Sequence, residues 1–155
     1  MPLATPRTRR SWPVLVLLAL TCTACLRGPY PWDMQVISPA PSASPAPDKA
    51  LVCFYRTASL YPLTSFWVHD GFERIGILSS ETFFFYQAAP GKHLFWAEVD
   101  FRGDIVLDCQ PGEVYYLRCD LSLSGLGLPD RPVFTRMSKS RGAEEIRDGR
   151  YAVPR

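Results

Sequence analysis

The sequence predicts an all-β protein: a small antiparallel β-sandwich of about seven strands with a short C-terminal helix, preceded by a signal peptide and a disordered Pro-rich tether. Three observations predict it. From Leu51 onward, short aromatic and β-branched runs replace a proline-rich stretch. Within those runs apolar and polar side chains alternate with period two. Turn dipeptides, Asp70-Gly71, Pro90-Gly91 and Pro111-Gly112, punctuate them. At 155 residues the chain has room for one core.

Residues 51–56 read as the first strand, and 65–69 with 74–78 as a hairpin around Asp70-Gly71, where glycine accepts the positive φ of a tight turn. Residues 82–87 and 93–101 flank the turn 89–92, and 105–109 and 114–120 flank the turn 110–113. Proline presets φ at the first central position of each Pro-Gly turn, and glycine suits the second. Alternation puts Ile105, Leu107 and Cys109 on one side with Tyr115, Leu117 and Cys119, against Asp104, Asp108, Arg118 and Asp120 on the other. Phe95, Ala97 and Val99 likewise oppose Trp96, Glu98 and Asp100. Residues 121–129 lose alternation and gain glycine, so a loop partly buried by its leucines is expected there. Residues 132–137 suit a closing strand and 143–147 a short helix.

The first 24 residues read as a targeting segment. Arg7, Arg9 and Arg10 precede the apolar run 14–20, followed by small residues, the order of a secretory signal. Seven apolar residues fall short of the roughly 20 needed to span a bilayer. Thr23-Ala24-Cys25 resembles a lipobox, the bacterial signal in which the cysteine receives diacylglycerol before the peptide is cut. Cys22 stands where leucine is usual, and Cys22 itself, after Leu20-Thr21, is the alternative acceptor. The resemblance implies a mature chain beginning at an acylated Cys25, anchored by two or three acyl chains. Leu26, in place of the aspartate of inner-membrane-retained lipoproteins, implies the periplasmic face of the outer membrane. Thr8-Arg9-Arg10-Ser11-Trp12 resembles a twin-arginine signal only faintly, since Pro13 interrupts it.

Residues 25–49 read as a tether, because Pro29, Pro31, Pro39, Pro41, Pro45 and Pro47 withhold amide donors and fix φ. Fully extended, such a stretch reaches roughly 70 Å at about 3.1 Å per residue. The body is then 50–147, with 148–155 as a tail. The formal charge of +2 includes the three leader arginines, so the remainder is nearly neutral. Residues 131–155 carry seven basic and three acidic side chains, but these are scattered and not interleaved with aromatics, which suits a solvated tail and no nucleic-acid partner.

A wider resemblance rests on three segments in order: Ala50-Leu51-Val52-Cys53-Phe54-Tyr55-Arg56, then Val68-His69-Asp70-Gly71 with Ile75-Gly76, then Pro90-Gly91-Lys92-His93. Together they resemble the DUF2846 family of small bacterial lipoprotein and envelope domains, similar in style to the PEGA modules. The likeness covers roughly residues 50–120, with Cys53 where an aromatic residue is more usual. It implies a β-sandwich in the cell envelope and brings no activity with it.

Candidate chemistry is sparse. Catalysis needs a nucleophile or metal, a base and an orienting group. His69 and His93 are the only histidines, each beside a turn where backbone geometry accounts for it. Glu98 and Asp100 share a strand face, but calcium loops carry denser oxygen ligands. No CxxC or paired-histidine spacing points to zinc, so neither metal nor cofactor is expected. Cys53, Cys109 and Cys119 are an odd set in an oxidising compartment, and buried thiols are expected. Aromatic residues are too many for one inward face. Some of them, Tyr55, Trp67, Phe84 and Trp96 foremost, either lie under the C-terminal segment or form a patch for an envelope protein, a glycan or the membrane interface. The expected function is a membrane-anchored envelope lipoprotein acting as a non-enzymatic binding or assembly module. The alternative is a periplasmic hydrolase or metal-dependent enzyme using His69, His93 and nearby carboxylates.

Overall fold

The computed structural model describes residues 33–155. The expected signal segment and the expected lipidation site, Cys25, lie outside the described residues. Ten strands and one helix follow in the order β1 (Met34–Val36), β2 (Ala50–Arg56), β3 (Phe66–Asp70), β4 (Glu73–Leu78), β5 (Thr82–Ala88), β6 (Gly91–Glu98), β7 (Arg102–Cys109), β8 (Val114–Leu123), β9 (Pro129–Met137), α1 (Lys139–Glu145) and β10 (Arg150–Pro154). A six-stranded sheet, β1-β10-β5-β2-β8-β9, packs on a four-stranded one, β4-β3-β6-β7. The protein is an all-β sandwich with a short C-terminal helix, as its sequence predicts.

The pairing departs from the antiparallel scheme in two places, since β2 pairs β8 in parallel and β10 pairs β5 in parallel. Neither Pro-Gly turn makes a hairpin. Residues 89–90 carry the chain from β5 to β6, and 110–113 carry it from β7 to β8, each time across from one sheet to the other. The turns reverse the chain as their chemistry dictates, with φ of 118° at Gly91 and 76° at Gly112. The strand that follows, however, finds its partner elsewhere. The amide of Gly112 donates to Lys49 O at 2.9 Å and that of Leu51 to Glu113 O at 2.9 Å, tying the second crossing to the start of β2. The Asp70-Gly71 hairpin forms as expected. Residues 93–101, read as one strand, instead turn back at 99–101 so that β6 pairs β7 along its whole length.

Both flanks of the body are larger than expected. Met34–Val36, assigned to the tether, pairs antiparallel with β10, itself assigned to the tail. The six residues 33–38 are free of proline, which leaves amide donors for that ladder. Gln87 bridges residues further along, accepting from the Ala46 amide at 3.0 Å and donating to Ser44 O at 2.9 Å. The helix starts at Lys139 and not at 143, because Ser138 caps it by accepting from the Arg141 amide at 3.3 Å.

Between the sheets Phe54 is the hub. Its ring stacks on Phe84 at 5.1 Å and meets the edge of Phe95 at 5.0 Å and of Phe134 at 6.5 Å. A second core lies outside the six-stranded sheet, where Cys53, Tyr55 and Phe83 are buried beneath Ile146, Met137 and Tyr151. Helix α1 lies flush on β8 because Gly142 has no side chain; a Cβ there would sit 2.3 Å from the Tyr116 ring. Its end is latched by Glu145, which accepts from Tyr55 Oη at 2.8 Å and Arg141 Nε at 2.8 Å, with Arg118 at 3.5 Å. The Arg141 hydrogen bond, then those from Tyr55 and the charge of Arg118, hold this carboxyl below the usual glutamate range against the opposing effect of its desolvation. On the opposite flank β7 closes against β9, where a Cβ at Gly103 would stand 1.6 Å from Pro132 O.

Gly103→Ala should destabilise the fold by about 3 kcal/mol or prevent folding, since backbone must move. Gly125→Ala, with open space around it, should change the urea midpoint little. Because the Glu145 carboxyl is depressed in the folded state, its contribution is present above the unfolded carboxylate value and lost as pH falls through the folded one. Glu145→Gln should therefore melt below wild type at neutral pH and converge with it in strong acid.

Candidate binding surface

Register fixes the two ends of the body. Arg56 pairs with Thr82 and Arg150 with Thr82, so the ends of β2 and the starts of β5 and β10 share one end, here the loop end. The opposite end carries the two sheet crossings and, through the pairing of Met34 with Pro154, the entry of the chain from Asp33.

At the loop end Arg56 is the organising residue. It is 3% exposed, and its guanidinium donates to Thr64 O at 2.6 Å, Ser59 Oγ at 2.7 Å and Tyr61 O at 3.2 Å. Five rigid donors suit this job, because carbonyls of a turning loop point at one centre. Burial draws the guanidinium below its ordinary value, and Asp120 opposes that shift. Loop 57–65 is thereby held against the body, and Tyr61 Oη donates to Gly127 O in the β8–β9 loop. The two loops enclose a cleft of about 170 Å³ beside Asp120 and Leu121. A second, about 200 Å³, lies across Thr57–Ala58 and meets Glu81, Glu145 and Asp148. Both are smaller than the roughly 300 Å³ at which small-molecule sites begin.

What the loop end offers instead is apolar surface. Leu60 is 89% exposed, Leu126 88% and Leu63 78%, with Leu123, Leu128 and Phe101 also exposed. Residues 57–69 and 121–129 contain no charged side chain. The leucines of 121–129, expected to be partly buried, mostly face solvent; only Leu121 packs on the core. The absence of charge was readable in the sequence. The joining of the two segments was not.

The aromatic residues singled out from sequence divide. Tyr55 and Phe84 are buried, at 1% and 2% exposure, so neither belongs to a surface. Trp67 and Trp96 lie partly buried on the outer face of the four-stranded sheet, Trp67 packed against Ile77 and against Met34 and Ala152 of β1 and β10. Trp96 is flanked by His69 of β3, stacked at 3.9 Å, and by Arg102 of β7 at 4.6 Å, while Arg74 sits 5.1 Å over Trp67. Trp96 Nε1 donates to Gly71 O at 2.6 Å, fixing the ring to the hairpin turn. Leu94 and Val106, opposite each other in register, extend the same exposed strip. Burial, then the nearby Arg74, holds His69 below the ordinary histidine value.

His93 and Asp70 do converge, with Nδ1 and Oδ2 2.6 Å apart, and Tyr86 Oη also donates to that oxygen at 3.0 Å. The second ring nitrogen of His93 faces Ala89 O at 2.8 Å. A general base needs a nitrogen directed at open space, and both are engaged. The cluster pins the Pro90-Gly91 crossing to the end of β3. His69, on the other face of that strand, takes no part. Among the described residues no three His, Cys, Asp or Glu side chains form a group suited to a metal, and no helix is long and apolar enough to cross a membrane.

Cys53, Cys109 and Cys119 are buried and unpaired. Cys109 and Cys119, placed in one hairpin by the sequence, stand in different sheets. Desolvation raises all three thiols, Cys109 to about 11. Comparison with protein-family models, curated proteins and solved structures finds no match to this chain.

Alkylation with iodoacetamide at pH 8 should leave these three thiols unmodified in the native protein and modify all three in urea; native labelling of Cys109 would contradict its burial.

Proposed function

We propose that this protein is a lipid-anchored component of the bacterial cell envelope, acting as a non-enzymatic binding or assembly module that docks a protein partner on the open face of its four-stranded sheet. One observation carries the reading. The outer face of the six-stranded sheet is covered by α1 and the residues after it, whereas on the outer face of the four-stranded sheet Met34 and Ala152 pack at Ile77 and Trp67 and leave Trp96, Leu94 and Val106 beyond them accessible. Tryptophan and arginine side by side, with aliphatic neighbours and charges at the margin, is the composition of protein-binding hot spots.

A sugar would need a free aromatic face to stack on, and Trp96 is already flanked by His69 and Arg102. That favours a protein over a glycan. The engagement of both His93 nitrogens supports a structural role for that residue over the hydrolase alternative. Anchoring at Cys25, with the outer membrane as destination, rests on the lipobox-like Thr23-Ala24-Cys25 and on Leu26. The DUF2846-like order of segments agrees with an envelope location.

Cys25→Ser should move the protein from the membrane to the soluble fraction, and the wild-type N-terminal peptide should carry the mass of acyl chains. Unchanged fractionation would refute anchoring at this cysteine. A photocrosslinking side chain at Val106 or Leu94 should trap the same discrete adduct in intact envelopes, and one at Lys139 on the exposed side of α1 should not. Equal labelling from all three positions would remove the open face as the docking surface.

A further inference from the structure

The geometry points to a second membrane contact: the leucine-bearing loop end rests in the headgroup zone of the same bilayer that holds the acyl chains. This inference rests on the anchoring proposed above. Its starting point is the shape and chemistry of that end. Leu60, Leu63, Leu126 and Leu128 stand at loop tips, each more than half exposed; Leu60 borders the cleft of about 170 Å³, and the other three line neither cleft. Tips of this kind are matched by a fluid occupant that flows around them. The two segments that carry them hold no charge to desolvate, and Tyr61 adds a ring with a polar end, as at membrane interfaces.

Reach decides between this bilayer and a more distant partner. Because β1 draws residues from Met34 onward into the body, only eight residue steps separate Cys25 from Asp33, a reach of at most about 25 Å at 3.1 Å each. That is about a third of the reach expected from the sequence. The chain enters the body beside Pro154, and the four steps from there to Arg150 at the loop end cover about 13 Å at 3.3 Å per residue. The linker is thus long enough to let the loop end face down, and too short to carry the body away from the surface. Within that radius the bilayer is the most concentrated apolar phase available to the leucines. Seated this way, the sandwich lies with its open sheet face directed sideways, accessible to a partner.

The test uses the full acylated protein, purified from membranes and reconstituted into vesicles of phosphatidylethanolamine and phosphatidylglycerol. An environment-sensitive fluorophore is placed on Leu60→Cys, Leu126→Cys or Phe72→Cys, the last an equally exposed residue in the turn at the opposite end. The native thiols of the body are buried and do not compete for the label. Labels at 60 and 126 should shift to the blue and be quenched at least twofold more by headgroup-region nitroxide lipid than by aqueous iodide, and the label at 72 should show the reverse. If all three behave like the label at 72 while the protein still floats with the vesicles, anchoring stands and the loop contact is refuted. If labels at 60 and 126 are shielded from iodide yet not quenched by nitroxide lipid, a protein surface covers them and the contact is again refuted. If the protein does not float, anchoring itself falls, and this inference with it.

Discussion

The constraint on which the structure depends is that β2 is buried on both faces. All seven of its residues are buried. Inward, Val52 and Phe54 meet the four-stranded sheet; outward, Cys53 and Tyr55 would face water were the chain to stop at β9. A strand buried on both sides requires a layer on each side. The C-terminal segment is the second layer, and its details answer that need. Gly142 brings the helix against the Tyr116 ring, Glu145 satisfies the one polar atom Tyr55 carries outward, and Tyr151 of β10 packs against Phe83 and Phe85. Replacing Phe54 by alanine would remove the hub of the inner layer, a loss of about 3–5 kcal/mol for a buried aromatic.

Local patterns in the sequence were legible and long-range choices were not. Alternation correctly assigned the inward sets Leu107 and Cys109, Tyr115, Leu117 and Cys119, and Phe95 and Ala97, because the pleat alone dictates which side chains share a face. The Pro-Gly turns were placed correctly and their partners wrongly. A turn fixes where the chain reverses, whereas the pairing of β8 with β2 is set by burial in a sheet more than fifty residues away in sequence. The surplus of aromatic residues was real, but part of it fills a second core: Tyr55 lies there and Phe84 in the core between the sheets, which is why both left the candidate list. β1 and β10 were missed because three- and five-residue strands are too short to show a period. Arg56 gave no local signal at all, since one arginine at a strand end looks like the end of a strand.

Surface is distributed unequally over the body. One broad face is covered by the chain itself, the other is overlaid by Met34 and Ala152 at Ile77 and Trp67 and carries Trp96 and Arg102 in contact beyond them, and one end gathers uncharged leucines. The polar cluster most like chemistry, Tyr86, Asp70 and His93, sits at the remaining end with its hydrogen-bonding capacity used internally. Groups held this way stiffen a crossing between sheets. A body so arranged has its free capacity in surfaces rather than in a cleft.

The place of β10 in the chain has a consequence for biogenesis. The strand that lies between β1 and β5, and that joins the first described residues to the rest of the sheet, is contributed by Arg150–Pro154, which is made after both of its partners. A polypeptide emerging from its N-terminus therefore cannot complete the six-stranded sheet until Arg150–Pro154 has emerged. Until then the outward ring of Phe83 and the thiol of Cys53 are bare, a state that invites aggregation or capture by quality-control factors. A chain cut short before Arg150 would carry the same exposed patch permanently, so the arrival of β10 acts as a checkpoint on the fold.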